Sequence, residues 1–166
     1  NYQKMTISDI QLISKTQEVS FKNPNDEKAY ANVHIQYFQD YDEIKCSADQ
    51  QLAISKEVYL IESDDKLSNI TSKELELGDR VKVRLIFESD RPMQFVHISD
   101  DRPVGAEPVI TTSGYQWGRN MSFYQSVKDT KTDFFIEEIS KGQFVIEYDM
   151  FINNLGIFNS GIAQIQ

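Results

Sequence analysis

Two histidines, a single cysteine and one cluster of aromatic residues are the side chains of this sequence best suited to chemistry. His34 and His97 each sit between a valine and an isoleucine. A metal site or a general base would need convergent partners, such as a second histidine one or two positions away, and neither has one. Both are read as strand or surface residues. Cys46 stands alone, which rules out an internal disulfide and a cysteine-based zinc site. Three acidic groups stand out: Asp40 with Asp42 and Glu43, Asp64 with Asp65, and Asp100 with Asp101. None has the alternating oxygen ligands and turn glycine of a calcium loop, so all are expected in solvated loops. A Gly-x-Ser-x-Gly elbow and a phosphate-binding loop are absent. No catalytic residue, metal or cofactor is expected.

Tyr115, Trp117 and Tyr124 are different. They flank Gly114, Gly118 and Arg119. Rings in such a segment could stack on a sugar or anchor a protein partner. The plainer reading has Trp117 plugging one end of the fold or meeting a neighbouring domain, because aromatic residues are more often core than site.

The elements that must position these residues read as strands. Val81, Val83, Leu85 and Phe87 alternate with Lys82, Arg84, Ile86 and Glu88. Phe144, Ile146, Tyr148, Met150 and Ile152 alternate in the same way, as do Val33, Ile35 and Tyr37. These period-two patterns predict strands with one buried face. Further strands are expected at 54–61, 94–99, 123–128, 132–137 and 162–165. Leu77-Gly78-Asp79 reads as a turn, Lys141-Gly142 as a tight hairpin, and Asn153 to Gly156 as another turn. Residues 99–105 could form about one helical turn, cut short by Pro103. The sum predicts an all-β, antiparallel, immunoglobulin-like β-sandwich with at most one short helix.

A boundary is expected at the Asn23-Pro24-Asn25-Asp26 turn cluster. Residues 1–24 read as two strands, 7–13 and 17–21, and 25–166 as the sandwich; the alternative makes the early strands the sandwich's first hairpin. A net charge of −9 with no basic run argues against nucleic acid and anionic lipid as partners. No apolar stretch approaches the ~20 residues that span a bilayer. The chain opens on Asn1 and closes on the apolar GIAQIQ, and it reads as a piece of something longer.

The stretch MQFVHISDDRPVGAEP (93–108), in which a strand runs into a small-residue corner and then Gly-x-Glu-Pro, resembles the last domain of bacterial alpha-2-macroglobulins. The resemblance extends through 113–151 and 156–166 and back to VHIQYFQDYDEI at 33–44. It implies a non-catalytic domain of a periplasmic protease trap. Residues 1–24 would end a preceding CUB-like domain, and 25–166 would brace a thioester-carrying domain. The implied partners are neighbouring domains of the parent chain and, through the whole parent, target proteases. The family's thioester joins a cysteine to a glutamine three residues on. In Cys46-Ser47-Ala48-Asp49-Gln50 the glutamine is four residues on, so this segment reads as an ordinary loop. The thioester-covering Met-Tyr pair of many bacterial members would follow Gln166. Aligned on Gly105, Asp101 falls where vertebrate members present a receptor-binding lysine, a reversal of sign. Two rival readings remain: an extracytoplasmic carbohydrate-binding or adhesion module using Tyr115, Trp117 and Tyr124, and a small hydrolase with a dispersed acid pair.

Overall fold

The computed structural model describes residues 4–6, 20–24, 27–36, 38, 51–70, 74–118 and 121–166. The chain divides into two compact units, Asn1–Asp40 and Tyr41–Gln166. In the first unit, residues 33–36 form no strand, and Val33 and Ile35 are exposed. This corrects the strand expected there. The alternation exists, but no described strand pairs with it, and a period-two pattern fixes a strand only where one face is buried. The strand expected at 7–13, the acids at 40–43 and Cys46 lie outside the described residues.

The described residues of the second unit form ten strands: β1 (Leu52–Ile61), β2 (Leu67–Asn69), β3 (Arg80–Ser89), β4 (Met93–Asp101), β5 (Ala106–Pro108), β6 (Gly114–Trp117), β7 (Ser122–Val127), β8 (Lys131–Ile139), β9 (Gly142–Ile152) and β10 (Ala163–Ile165). They form two five-stranded sheets of order β2-β1-β3-β9-β5 and β10-β4-β8-β7-β6. Every pairing is antiparallel. The expected sandwich is therefore present, and the long strands fall where the alternation puts them.

The core lies between the sheets. Val81, Val83, Leu85 and Phe87 of β3, with Phe144, Ile146, Tyr148 and Met150 of β9, fill it from one side. Val96 and Ile98 of β4, with Phe134 and Ile136 of β8, fill it from the other. Phe87 stacks on Phe144 with ring centroids 5.5 Å apart. Phe134 reaches Tyr148 across the gap at 5.8 Å. Each such side chain contributes ~1.5–3 kcal/mol of burial.

One bend organises these strands. β3 pairs with β9 in the first sheet, and β4 pairs with β8 in the second. Ser89 lies opposite Gly142, and Met93 lies opposite Ile139. So β3–β4 and β8–β9 are the two strands of one ribbon folded over at a common corner. Residues 90–92 span that corner on one strand against only 140–141 on the other. The extra residue works as a bulge does, letting strands switch sheets. Lys141-Gly142 was expected to be a hairpin turn; it is instead a crossing between sheets. Gly142 has φ +143°, a conformation favouring glycine.

The helical turn expected near 99–105 is also corrected. Residues 99–101 complete β4, and Pro103 to Ala106 form a tight turn closed by a 3.1 Å hydrogen bond from the Ala106 amide to the Pro103 carbonyl. Pro103 has no amide hydrogen to donate inside a helix, so the chain leaves β4 into a turn instead of a helical one. Asp100 corrects a further expectation. It is fully buried on the inward face of β4, not in a solvated loop.

Buried charge there demands partners. Lys56 of β1 donates to Asp100 Oδ1 at 2.7 Å, to the Ser160 carbonyl at 2.7 Å and to the Asp101 carbonyl at 3.0 Å. The Tyr148 hydroxyl donates to Asp100 Oδ2. Burial pushes the Asp100 carboxyl up, and Lys56 and Tyr148 partly offset this. The cluster ties both sheets to the segment leading into β10. That segment can approach only because Gly161, at φ +77°, has no Cβ; one would lie 2.0 Å from the Asp101 carbonyl oxygen.

Breaking a buried pair strands one charge, whereas removing both need not. Lys56→Met should lower the unfolding free energy by ~3–5 kcal/mol in urea titrations. Lys56→Met/Asp100→Leu should recover most of that loss. Equal destabilisation by single and double variants would contradict the assignment.

Candidate functional site

Alternation along a strand sends neighbouring side chains to opposite faces, so a filled core also specifies what each sheet shows to the outside. The outward face of the first sheet is laced with ion pairs. Arg84 Nε lies 2.7 Å from Glu147, and Asp149 accepts from Lys82 at 2.8 Å and from Arg80 at 2.6 Å. The Arg84 guanidinium also sits 5.3 Å from the Tyr59 ring centre.

The outward face of the second sheet carries rings instead. Tyr115 of β6 lies opposite Tyr124 of β7, Tyr124 opposite Phe135 of β8, and Phe135 opposite His97 of β4. His97 in turn exchanges backbone hydrogen bonds with Gln166. One cross-strand row thus runs over four strands, β6, β7, β8 and β4, and ends on Gln166, just past β10. Its rings contact in pairs: Tyr115 meets Tyr124 edge-on at 5.2 Å, and His97 stacks on Phe135 at 4.7 Å. Trp117, two residues from Tyr115 on the same face of β6, is 79% exposed. This corrects the expectation that Trp117 plugs an end of the sandwich. Interior-facing neighbours such as Phe123 fill that space, which leaves Trp117 outside.

The three aromatic residues singled out in the sequence are therefore brought together on one face. Sequence reasoning missed Phe135 and Phe95 as outward-facing members. For Phe135 the signal was present: in Asp133-Phe134-Phe135-Ile136 only alternate residues can face inward. Phe95 is 80% exposed and holds φ +59°, a strained conformation for an aromatic residue. His34 is exposed and stands in the other unit.

A depression of about 240 Å³ opens at the β10 end of the ring row, lined by His97, Ser99, Lys131, Gln164, Ile165 and Gln166. Beneath it Asp133 gathers charge. Its carboxylate lies 2.6 Å from Lys128 Nζ, 3.1 Å from Lys131 Nζ and 3.1 Å from His97 Nε2. Burial alone would push this carboxyl up, but the two ammonium groups, Ser99 and His97 outweigh it and hold it well below the usual carboxylate range.

Ser99, His97 and Asp133 are the residue types of a hydrolytic triad, yet their wiring is wrong for one. The His97 Nδ1 that would be free to serve a hydroxyl faces the Gln166 amide at 3.1 Å. Ser99 instead accepts from Lys131 at 3.1 Å. The carboxyl with raised pKa that a hydrolase would need is Asp100, which is sealed in the core. Among the described residues, no three His, Cys, Asp or Glu side chains converge as metal ligands would. The arrangement can hold and orient a partner through rings, hydroxyls and amides.

Asp133 and Asp149 both have folded-state pKa values below the ordinary 3.8. Their contribution to stability is therefore full above about pH 4 and is lost progressively as pH falls from there through the lower folded-state values. Asp133→Asn should cost ~1–3 kcal/mol at pH 7 and flatten the acid limb of a pH series of urea midpoints. An unchanged acid limb would contradict the pairing.

Comparison with known proteins accords with this geometry. The family described as bacterial alpha-2-macroglobulin MG10 domain matches residues 52–166, more than two-thirds of the chain. No curated protein matches. Among eight matching chains of solved structures is a crystal structure of Salmonella alpha-2-macroglobulin mutant Y1175G. It superposes with a TM-score of 0.52 at 16% identity, over 72% of this chain and 8% of the Salmonella chain. That likeness is one of fold. The matched residues run from the sheet strand β1 to the last strand, β10, and by that match the chain belongs to the bacterial alpha-2-macroglobulin MG10 domain family.

Proposed function

We propose that this chain is a non-catalytic scaffold domain at the C-terminal end of a periplasmic alpha-2-macroglobulin-like protease inhibitor, where it braces the thioester-carrying domain. The observation that carries the reading is the family match across the whole sandwich, residues 52–166. The structure fits a brace. The space between the sheets is filled by side chains, and the Lys56–Asp100 pair neutralises the charge at its edge. Such a body is stiff and transmits load. Residues 1–24 would close a preceding CUB-like domain. The partners are then the adjoining domains of the parent and, through the parent, the trapped protease. Asp101 occupies the corner position of the receptor-binding lysine, so clearance-receptor binding is not part of the proposal.

The test compares the piece with the whole. The 166-residue chain alone, in excess, should leave trypsin at full activity on casein. The parent protein should shield casein while leaving cleavage of a small chromogenic peptide intact. A parent lacking residues 52–166 should lose that shielding. A truncated parent that shields casein as well as the intact one would contradict the brace.

A further inference from the structure

We propose that the edge of β4 is a strand-accepting site, and that residues 160–166 of a second copy of this chain can take the place of its own β10 there. The proposal goes beyond the bracing role and does not rest on it.

A sheet edge presents a row of unpaired amides and carbonyls, which the strand beside it must match. The edge strands of the two sheets are β2, β5, β6 and β10. β2 and β6 are hairpin partners of β1 and β7, joined to them by residues 62–66 and 118–121. β5 is reached from β4 through residues 102–105 and leaves toward β6 through 109–113. Links of four or five residues keep these three strands beside the ones they adjoin in sequence. β10 differs. It pairs with the distant β4, Ala163 lying opposite Asp100. Residues 153–162 lead to it, none of them in a strand, and Leu155 and Ile157 along the way are exposed. Ten residues span up to ~35 Å when extended, enough to reach the β4 of a neighbouring molecule.

The accepting side is built on the ribbon. The Asp101 amide donates to the Ile162 carbonyl at 3.0 Å, and His97 and Gln166 exchange bonds of 2.8 and 2.9 Å. Lys56 Nζ donates to the Ser160 carbonyl while it holds Asp100. The donated side is short. Ala163 and Ile165 pack against the core, and Gln164 between them is exposed. Gly161 makes the site selective: it holds φ +77°, and a Cβ there would lie 2.0 Å from the Asp101 carbonyl oxygen. The fitting occupant is therefore Ser-Gly-Ile-Ala-Gln-Ile-Gln, the chain's own residues 160–166. A second copy supplies every one of these contacts unchanged. Exchange then costs only the freedom lost on association, a cost that falls as concentration rises.

Cross-linking between copies tests the proposal. Ser99 and Gln164 stand opposite each other. They form a hydrogen-bonded pair, with Cα atoms ~5.5 Å apart, a separation that a disulfide spans. Ser99→Cys and Gln164→Cys are made separately, each with Cys46→Ser to remove the chain's one cysteine. The two variants are mixed at millimolar concentration, warmed to just below the unfolding midpoint, cooled and oxidised. Heterodimer linked through these two positions, identified by peptide mass mapping, should exceed the disulfide dimer of either variant alone at least tenfold. Ser99→Cys/Gln164→Cys in the same background, oxidised when dilute, should close an intrachain bond. It should then stay monomeric through the same warming, whereas its reduced form gives dimer by light scattering. No excess of heterodimer would overturn the proposal. So would a dimer that the intrachain bond does not prevent, because association would then use another surface. Failure of the double variant to close that bond would also overturn it, by removing β10 from the edge of β4.

Discussion

A two-stranded ribbon bent over at residues 90–92 and 140–141 brings the sheets together, and most of the molecule follows from that contact. β3–β4 and β8–β9 each run through both sheets, so the four strands at the centre of the sandwich cannot form separately. Their inward residues supply the core from Val81 to Met150. The remaining strands are added at the margins: β1 and β5 flank the ribbon in the first sheet, and β7 and β10 flank it in the second. A fold built from non-local pairings of this kind depends on getting one register right, because a single-residue slip would turn Leu85 and Ile146 out to solvent.

Two polar clusters show how the same chemistry serves different ends by depth. Lys56, Asp100 and Tyr148 sit between the sheets, where an unpaired charge is costly, and they fix which segment leads into β10. Lys128, Lys131 and His97 surround Asp133 just under the outer face, where the gain is modest and pH-dependent. That second cluster also sets the His97 ring against Phe135 and so holds one end of the aromatic row. The outward faces consequently differ. One sheet shows water a lattice of paired charges, and the other shows it rings.

Legibility in the sequence followed the range of the interactions. Alternation located β1, β3, β4, β7, β8 and β9, because a buried face imposes its period on any strand of useful length, and β10 was expected only as an apolar run near 162–165. The strands β2, β5 and β6, of three or four residues, carry too few positions to show a period. Turn chemistry was visible at Leu77-Gly78-Asp79, where Gly78 has φ +90°. Lys141-Gly142 was read as a turn correctly but as a hairpin wrongly: local chemistry specifies that the chain reverses, and only the distant partner decides whether the next strand joins the same sheet. Asp100 was misplaced for a related reason. Its partners Lys56 and Tyr148 lie 44 and 48 residues away. The ring cluster was half legible. Tyr115, Trp117 and Tyr124 are close in sequence, whereas Phe135 and His97 join them only through the register of β4 and β8.

The bent ribbon is tested most directly by native-state hydrogen exchange under increasing urea. If β3–β4 and β8–β9 are one ribbon packed on itself, the amides of Leu85 and Ile146 in one sheet and of Ile98 and Phe134 in the other should converge on a single opening free energy, equal to that of global unfolding. If Ile98 and Phe134 instead exchange through a separate opening of markedly lower free energy while Leu85 and Ile146 stay protected, the sheets are independent units and this account of the sandwich is wrong.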